Sequence, residues 1–175
     1  ILVYGALTER KGVLELMDAL EDKAFPDDVC VLLAGSQTEK LRSKLGTFEV
    51  NDRVLVFDRF LTKEEEFAAF QAADIVWCGY KDFFGMSAVL VQAGAMAVPV
   101  IAGNQGMINW VVQNYRTGIS VNVFEKEQII IGAKTLLGDK EMYRQLSENG
   151  KKMAAAHSVE AFQAILFRKA TECVI

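Results

Sequence analysis

RVLVFDRFLTKEEEFAAFQAADIVWCGY, from Arg53 to Tyr80, sets two short apolar runs on either side of a longer polar-fronted segment. The outer runs, RVLVFD and DIVWCGY, are rich in β-branched and aromatic residues and almost continuously apolar, as strands buried on both faces are. Between them, Thr62 is a natural helix N-cap. The acids of KEEE, residues 63 to 66, fall in the first turn, where the helix dipole favours negative charge, and read as a solvated surface. A strand, a helix and a strand in succession make a parallel crossover, which is right-handed in nearly all proteins.

The same alternation runs outward in both directions. ILVYG, VCVLLAG, VPVIAG and GISVNV read as further strands. KGVLELMDALED repeats Val13, Leu16, Met17 and Leu20 at helical spacing. TEKLRSKLGTF, SAVLVQAGAMA and GMINWVVQN supply the other crossover helices. After GISVNV the strands stop, and three helices follow: EKEQIIIGAKTLLGD, KEMYRQLSENGKKMAAA and SVEAFQAILFRKAT. The pattern predicts an α/β protein with a Rossmann-like doubly wound parallel sheet of six strands, helices on both faces, and a helical C-terminal tail. No linker or low-complexity block divides it, so residues 1–175 read as one domain.

Composition excludes several functions. Half of the 175 residues are apolar and the formal net charge is −4, with no basic run. That argues against a general nucleic-acid surface and against a polybasic membrane surface. No apolar run reaches the length of a membrane-spanning helix. Cys30, Cys78 and Cys173 lie far apart in no metal-binding spacing. Cys30 and Cys78 fall in strand-like runs and read as small buried hydrophobes, consistent with a reducing, cytoplasmic compartment. A first strand at residue 1 without a Met reads as a piece of a longer protein.

Ligands of doubly wound sheets bind at the carboxyl ends of the strands, near the reversal of strand order. Three loops qualify. GALTERKG, Gly5 to Gly12, offers the hydroxyl of Thr8 and the charges of Arg10 and Lys11 beside a helix start, which suits a phosphate; solvated loop charges are the plain alternative. It matches neither GxGxxG nor a P-loop. The second loop, before SAVLVQAGAMA, places Gly85, Met86, Ser87 and Ala88 where backbone amides could receive a phosphate, or where Ser87 simply caps the helix. Gln92, one turn further in, needs a partner, either a ribose hydroxyl or a structural group. The third, DRFLT, offers backbone to frame a base, with Arg59 and Phe60 beside it, or is an ordinary exposed turn. Catalytic signals are sparse. His157, the only histidine, lies at a helix junction, and GxSxG is absent. Trp77 and Trp110 read as packing residues.

The order of these motifs resembles the carboxyl-terminal domain of the group 1 glycosyltransferases, the glycogen-synthase-like retaining enzymes of the two-domain type-B fold. YGALTERKG stands where that family has vGRLsxxKG. VLVQAGAMAVPVIAGNQGMINWVVQNYRTGISVN is similar to lLEAMAxGxPVIAxxxGGxxEvVxxgxxGxLv. VLLAGS and RVLVFDRFLTKEEEFAAFQAADIVWCGY occupy the stretch between them. The resemblance covers nearly the whole chain. It implies a nucleotide-sugar-binding domain that works beside an amino-terminal acceptor domain absent from this chain. It implies transfer of the sugar with retained configuration, in polysaccharide or glycoconjugate synthesis, with no cofactor and no essential metal. The acceptor, and any peripheral contact with a membrane, would belong to the other half.

By the same resemblance, Lys11 matches the lysine that contacts the donor phosphates. Gly85 to Ala88 match the segment meeting the distal phosphate, and Gln92 matches the glutamate that grips the ribose. Three positions depart from the family. Ala6 stands for the arginine of GRL, Phe84 for the first glutamate of the E-x7-E element, and Gln92 for the second. Some relatives carry an SSG-like turn where the first glutamate stands, and FFGMSAVLVQA is similar to that version. The departures leave a non-catalytic binding or assembly module as the alternative. A sugar-nucleotide epimerase of similar fold is a weaker option, because the chain supplies few acid–base groups. The catalytic residues are not assigned.

Overall fold

The structure, a computed structural model, describes residues 1–48 and 52–172. Six strands form one parallel sheet: β1 (Leu2–Tyr4), β2 (Val31–Ala34), β3 (Val54–Phe57), β4 (Val76–Cys78), β5 (Val100–Gly103) and β6 (Gly118–Val121). Their order is β3-β2-β1-β4-β5-β6, so the chain reverses direction across the sheet between β1 and β4. The register there sets Leu2 beside Val76, and on the other side Leu2 beside Leu32.

The period of two along each strand divides the core into two layers. Val3, Leu33, Trp77, Ile101 and Val121 face α1 (Val13–Glu21), α2 (Glu39–Leu45) and α6 (Lys126–Gly138). Leu2, Ala34, Val76, Cys78, Val100 and Ala102 belong to the opposite layer, with α3 (Lys63–Gln71), α4 (Ala88–Ala95), α5 (Gly106–Tyr115) and the end of α7 (Lys140–Ala156). The final helix, α8 (Val159–Glu172), exposes Val159, Phe162, Ile165, Leu166 and Phe167. Thr62 caps α3 in a reciprocal box, its hydroxyl accepting from the Glu65 N–H and its own N–H donating to the Glu65 carboxylate. Thr38 caps α2 in the same way on one side, accepting from the Leu41 N–H.

Four expectations are corrected. The sheet is not covered throughout: Leu55, Val56 and Phe57 of β3 are 56%, 48% and 46% exposed. β3 is an edge strand, and α3 leaves it to pack Ala69 and Phe70 in the layer that holds Leu2 and Val76. Cys30 is exposed because it precedes β2 at the amino end of the sheet, whereas Cys78 is buried and burial pushes its thiol up to about 12. Cys173 lies outside the described residues. GALTERKG, read as a loop from Gly5 to Gly12, contains a 3₁₀ turn at Glu9–Lys11. Finally, KEEE is not wholly solvated. Glu66 is half-buried and hydrogen-bonded on both oxygens, because it lies four residues before the buried Phe70 and so shares its inward face.

α4 carries the loop of interest on its N-terminus, and α7 backs it. The two helices meet through glycines. A Cβ at Gly94 would lie 2.6 Å from the Gly150 carbonyl oxygen and 2.8 Å from Met153 Cε, and a Cβ at Gly150 would lie 3.1 Å from Gly94 Cα. Backbone on backbone leaves no side chain to swing aside. Gly94→Ala is therefore expected to lower stability by roughly 1–3 kcal/mol, the usual penalty of overpacking. Chemical denaturation checks this; an unchanged midpoint would show that the helices slide apart freely.

Candidate functional site

The loops that leave β1 and β4 are tied to each other. Gly12 follows the 3₁₀ turn at φ +66°, and a Cβ there would sit 2.1 Å from the Gly79 carbonyl oxygen. Only glycine permits both the backbone angle and that approach. The buried Trp77 of β4 donates its indole N–H to the Lys11 carbonyl at 2.8 Å. The Lys81 N–H donates to the Arg10 carbonyl at 2.7 Å. The Lys81 ammonium pairs with Glu15 of α1. Residues distant in sequence thus hold the 3₁₀ turn from below.

That turn delivers Lys11 to the carboxyl end of β1. Its ammonium donates to the Tyr4 carbonyl at 2.5 Å and to the Tyr80 hydroxyl at 3.2 Å. Two of its three N–H donors are thereby placed, and a third remains for a ligand. A Cβ on Gly5 would come within 3.3 Å of this nitrogen, so the glycine keeps the space open. Burial lowers the Lys11 pKa below its ordinary value. The same burial pushes the Tyr80 hydroxyl up to about 12, so it stays protonated.

Tyr80 links this cation to the start of α4. Its hydroxyl lies 2.9 Å from the Ser87 hydroxyl. Ser87 occupies the N-cap position, yet its side chain makes no cap bond. The expected capping role is replaced by the bond to Tyr80, which leaves the first-turn amides of α4 without a side-chain acceptor. Gly85, Met86 and Ala88 are exposed around it.

A second arm runs from the other end of Tyr4. Its hydroxyl donates to Glu66 at 2.6 Å, and Gln92 donates its amide N–H to the other Glu66 oxygen at 2.5 Å. Burial and the Glu66 carboxylate push the Tyr4 hydroxyl up to about 12. Gln92 thus has a structural partner, a carboxylate from α3.

The remaining expected residues lie apart from Lys11. Thr8 and Arg10 line an open hollow with Lys40, Lys81, Glu9 and Asp82. The Arg10 guanidinium stands 5.2 Å from the centre of the Phe83 ring, a cation–π distance. Arg59 makes two hydrogen bonds to Glu65, at 2.7 and 2.6 Å, and with the Thr62 N–H holds that carboxyl at about 2. Arg59 lines a groove between β3 and α3 with Phe57, Leu61 and Ala68, while Phe60 is 81% exposed. Phe84 is 70% exposed, and its backbone carbonyl accepts from the Met107 N–H at the start of α5.

Tyr4, Tyr80 and Glu66 were missed by sequence reasoning. Signals existed. Both tyrosines put a polar tip at or just beyond the carboxyl end of a strand beside the reversal, and Glu66 has helical spacing to the core residue Phe70. Among the described residues, no group of three or more His, Cys, Asp or Glu side chains could hold a metal ion. Among the same residues, no helix is long and apolar enough to cross a membrane.

Comparison with known proteins agrees with this architecture. The chain is 22% identical over 165 residues to an uncharacterized glycosyltransferase of Haemophilus influenzae, covering 91% of this chain and 45% of that protein. It therefore spans less than half of that relative's length. Among solved structures, the C-terminal domain of a glycosyl transferase group 1 family protein (LpcC) from Francisella tularensis matches with a TM-score of 0.69 and 20% identity, over 89% of this chain and 83% of that one. Anabaena Alr3699/HepE in complex with UDP and glucose matches with a TM-score of 0.75 and 20% identity, over 98% of this chain and 48% of that one. At such identities these likenesses are likenesses of fold. The family model for glycosyl transferases group 1 matches residues 1–153, and the chain belongs to that family.

Proposed function

We propose that this chain binds the diphosphate of a nucleotide-sugar donor, and that the longer protein containing it transfers the sugar to an acceptor held by its other half. The observation that carries this reading is the Lys11 ammonium, fixed by the Tyr4 carbonyl and the Tyr80 hydroxyl, and joined through Tyr80 to Ser87 at the start of α4. A cation with a spare donor and a helix start with free amides, joined by one tyrosine, suit a diphosphate. HepE, which shares this fold over about half of its chain, was solved in complex with UDP and glucose, which supports the same class of ligand here.

The proposed chemistry follows from charge. As the bond between sugar and phosphate breaks, negative charge grows on the leaving diphosphate. Lys11 and the α4 amides stabilise that charge from positions already set, with little reorganisation at the moment of reaction. Neither a metal nor a cofactor is required in this scheme. Family resemblance supports retention of configuration and a place in polysaccharide or glycoconjugate synthesis. The isolated chain is inactive in this proposal, because the acceptor half of the cleft is elsewhere.

A second reading, a binding or assembly module without catalysis, draws on Phe84. The family's first glutamate would be acidic there, whereas Phe84 presents an exposed ring that cannot accept a hydrogen bond from a sugar. A full-length transfer assay separates the two. Sugar transfer that disappears in Lys11→Ala supports catalysis, and absence of transfer with every nucleotide sugar supports the module.

Donor binding itself is tested by titrating UDP, ADP, GDP and CDP. Lys11→Met is expected to weaken the tightest of these by roughly 10- to 100-fold, the loss of one charge-assisted hydrogen bond. The same variant is expected to melt no lower than the parent, because it removes a half-buried charge. Unchanged affinity would refute the role of Lys11. The pH dependence has a definite sign. Folding lowers the Lys11 pKa, so between the folded and unfolded values the unfolded chain holds more protons, and stability from this group rises with pH. Binding moves the opposite way: affinity for the diphosphate falls as pH rises through the lowered value, and this fall is absent in Lys11→Met.

A further inference from the structure

We propose that Glu66 of α3 supplies the carboxylate that receives the donor's ribose hydroxyls in this chain, with Gln92 as the residue that positions it. This assignment rests on the donor-binding reading above.

Glu66 is half-buried, and each of its oxygens accepts one hydrogen bond, from Tyr4 Oη at 2.6 Å and from Gln92 Nε2 at 2.5 Å. Both partners are neutral donors. Tyr4 remains one throughout the physiological range, its hydroxyl being pushed up to about 12. An ionised carboxylate has about four acceptor sites, so about two remain for further O–H or N–H groups. The two bonds in place fix the side chain without neutralising it, leaving a rigid acceptor for paired hydroxyls.

Its position relative to the cation matters as much as its charge. One residue, Tyr4, touches both groups: its carbonyl receives the Lys11 ammonium and its hydroxyl reaches Glu66. A cation and a carboxylate therefore stand at the two ends of a single tyrosine, at the carboxyl end of β1. A nucleoside diphosphate carries the complementary pair, an anionic diphosphate and, a few atoms away, a vicinal diol that donates. Inorganic phosphate or a sugar alone would engage only one of the two ends.

Gln92 does not fill this role on its own. Its amide nitrogen donates one N–H to Glu66, so its contribution is to orient the carboxylate and to offer a neutral carbonyl oxygen. The acidic acceptor thus comes from α3 and reaches the site by way of α4. A purely structural tie between β1, α3 and α4 is the competing explanation, and the two differ in what they require of a bound ribose.

The test uses the full-length protein and calorimetric titration. The probes are UDP, ADP, GDP and CDP, the tightest then being paired with its 2′,3′-dideoxy counterpart and with its monophosphate. The parent is expected to prefer the ribose form over the dideoxy form by roughly 10- to 100-fold. Glu66→Ala is expected to bind both forms equally while keeping the preference for diphosphate over monophosphate, which shows that the fold and the Lys11 end survive. Gln92→Ala keeps a reduced ribose preference. Should Glu66→Ala fail to fold, Glu66→Gln retains the length of the side chain and is expected to reduce the preference as well. A ribose preference undiminished in both Glu66 variants, or no ribose preference in the parent, overturns the assignment and leaves donor binding standing. No binding of any nucleoside diphosphate to the parent overturns the donor-binding reading, and the assignment falls with it.

Discussion

Parallel pairing of β1 with β4 is the constraint on which the rest of the molecule depends. The two strands are separated by three crossovers in sequence but lie side by side, with Leu2 opposite Val76. Successive crossovers pass to opposite faces from this point, so the loops leaving β1 and β4 diverge and leave a crevice between them. The groups that tie Lys11 to the start of α4 stand on that crevice. Tyr4 ends β1, Lys11 returns from the turn after it, Tyr80 follows β4, and Ser87 opens α4. Misplacing either strand by one residue would reverse which side chains face the core and would scatter these four.

The site holds a charge that the fold alone would rather lose. Burying an ammonium near the end of a strand is unfavourable unless its donors are satisfied, and the lowered Lys11 pKa expresses that strain. Two neutral oxygens, the Tyr4 carbonyl and the Tyr80 hydroxyl, hold the group in place without cancelling its charge. A carboxylate in either position would have made a stronger pair and a weaker anion site. The same restraint appears at the other end of Tyr4, where Glu66 is met by a hydroxyl and an amide. Several charges elsewhere on the surface are paired with opposite charges instead: Lys40 and Lys44 with Glu9, Arg42 with Asp58, Arg59 with Glu65.

The family departures acquire different weights in this setting. Ala6, which stands where the resemblance places an arginine, is exposed, and the neighbouring Arg10 guanidinium rests on the Phe83 ring. Phe84 is held by its backbone, through the bond from Met107, while its ring faces solvent. Gln92 is a different case. The resemblance places a carboxylate at this position of α4, and the amide that stands there contacts a carboxylate from α3. At Gln92, then, a carboxylate stands beside the position where the resemblance places one.

Much of the fold was legible because its signals are local. Apolar runs with strand chemistry, helical spacing in α1, and the caps at Thr38 and Thr62 depend only on neighbouring residues. From these the sequence by itself determined the α/β class, the six parallel strands and the loops that had to be searched, including Lys11 and the start of α4. It did not determine that β3 would stand open at an edge, that Cys30 would be exposed, or that Ser87 would bond to Tyr80 instead of capping its helix. Nor did it join Glu66 to Gln92 across 26 residues. Only the tertiary structure decided these matters. A side chain's partner is chosen by which strands and helices become neighbours, and that choice is made by burial of the whole sheet, over distances that no local pattern records.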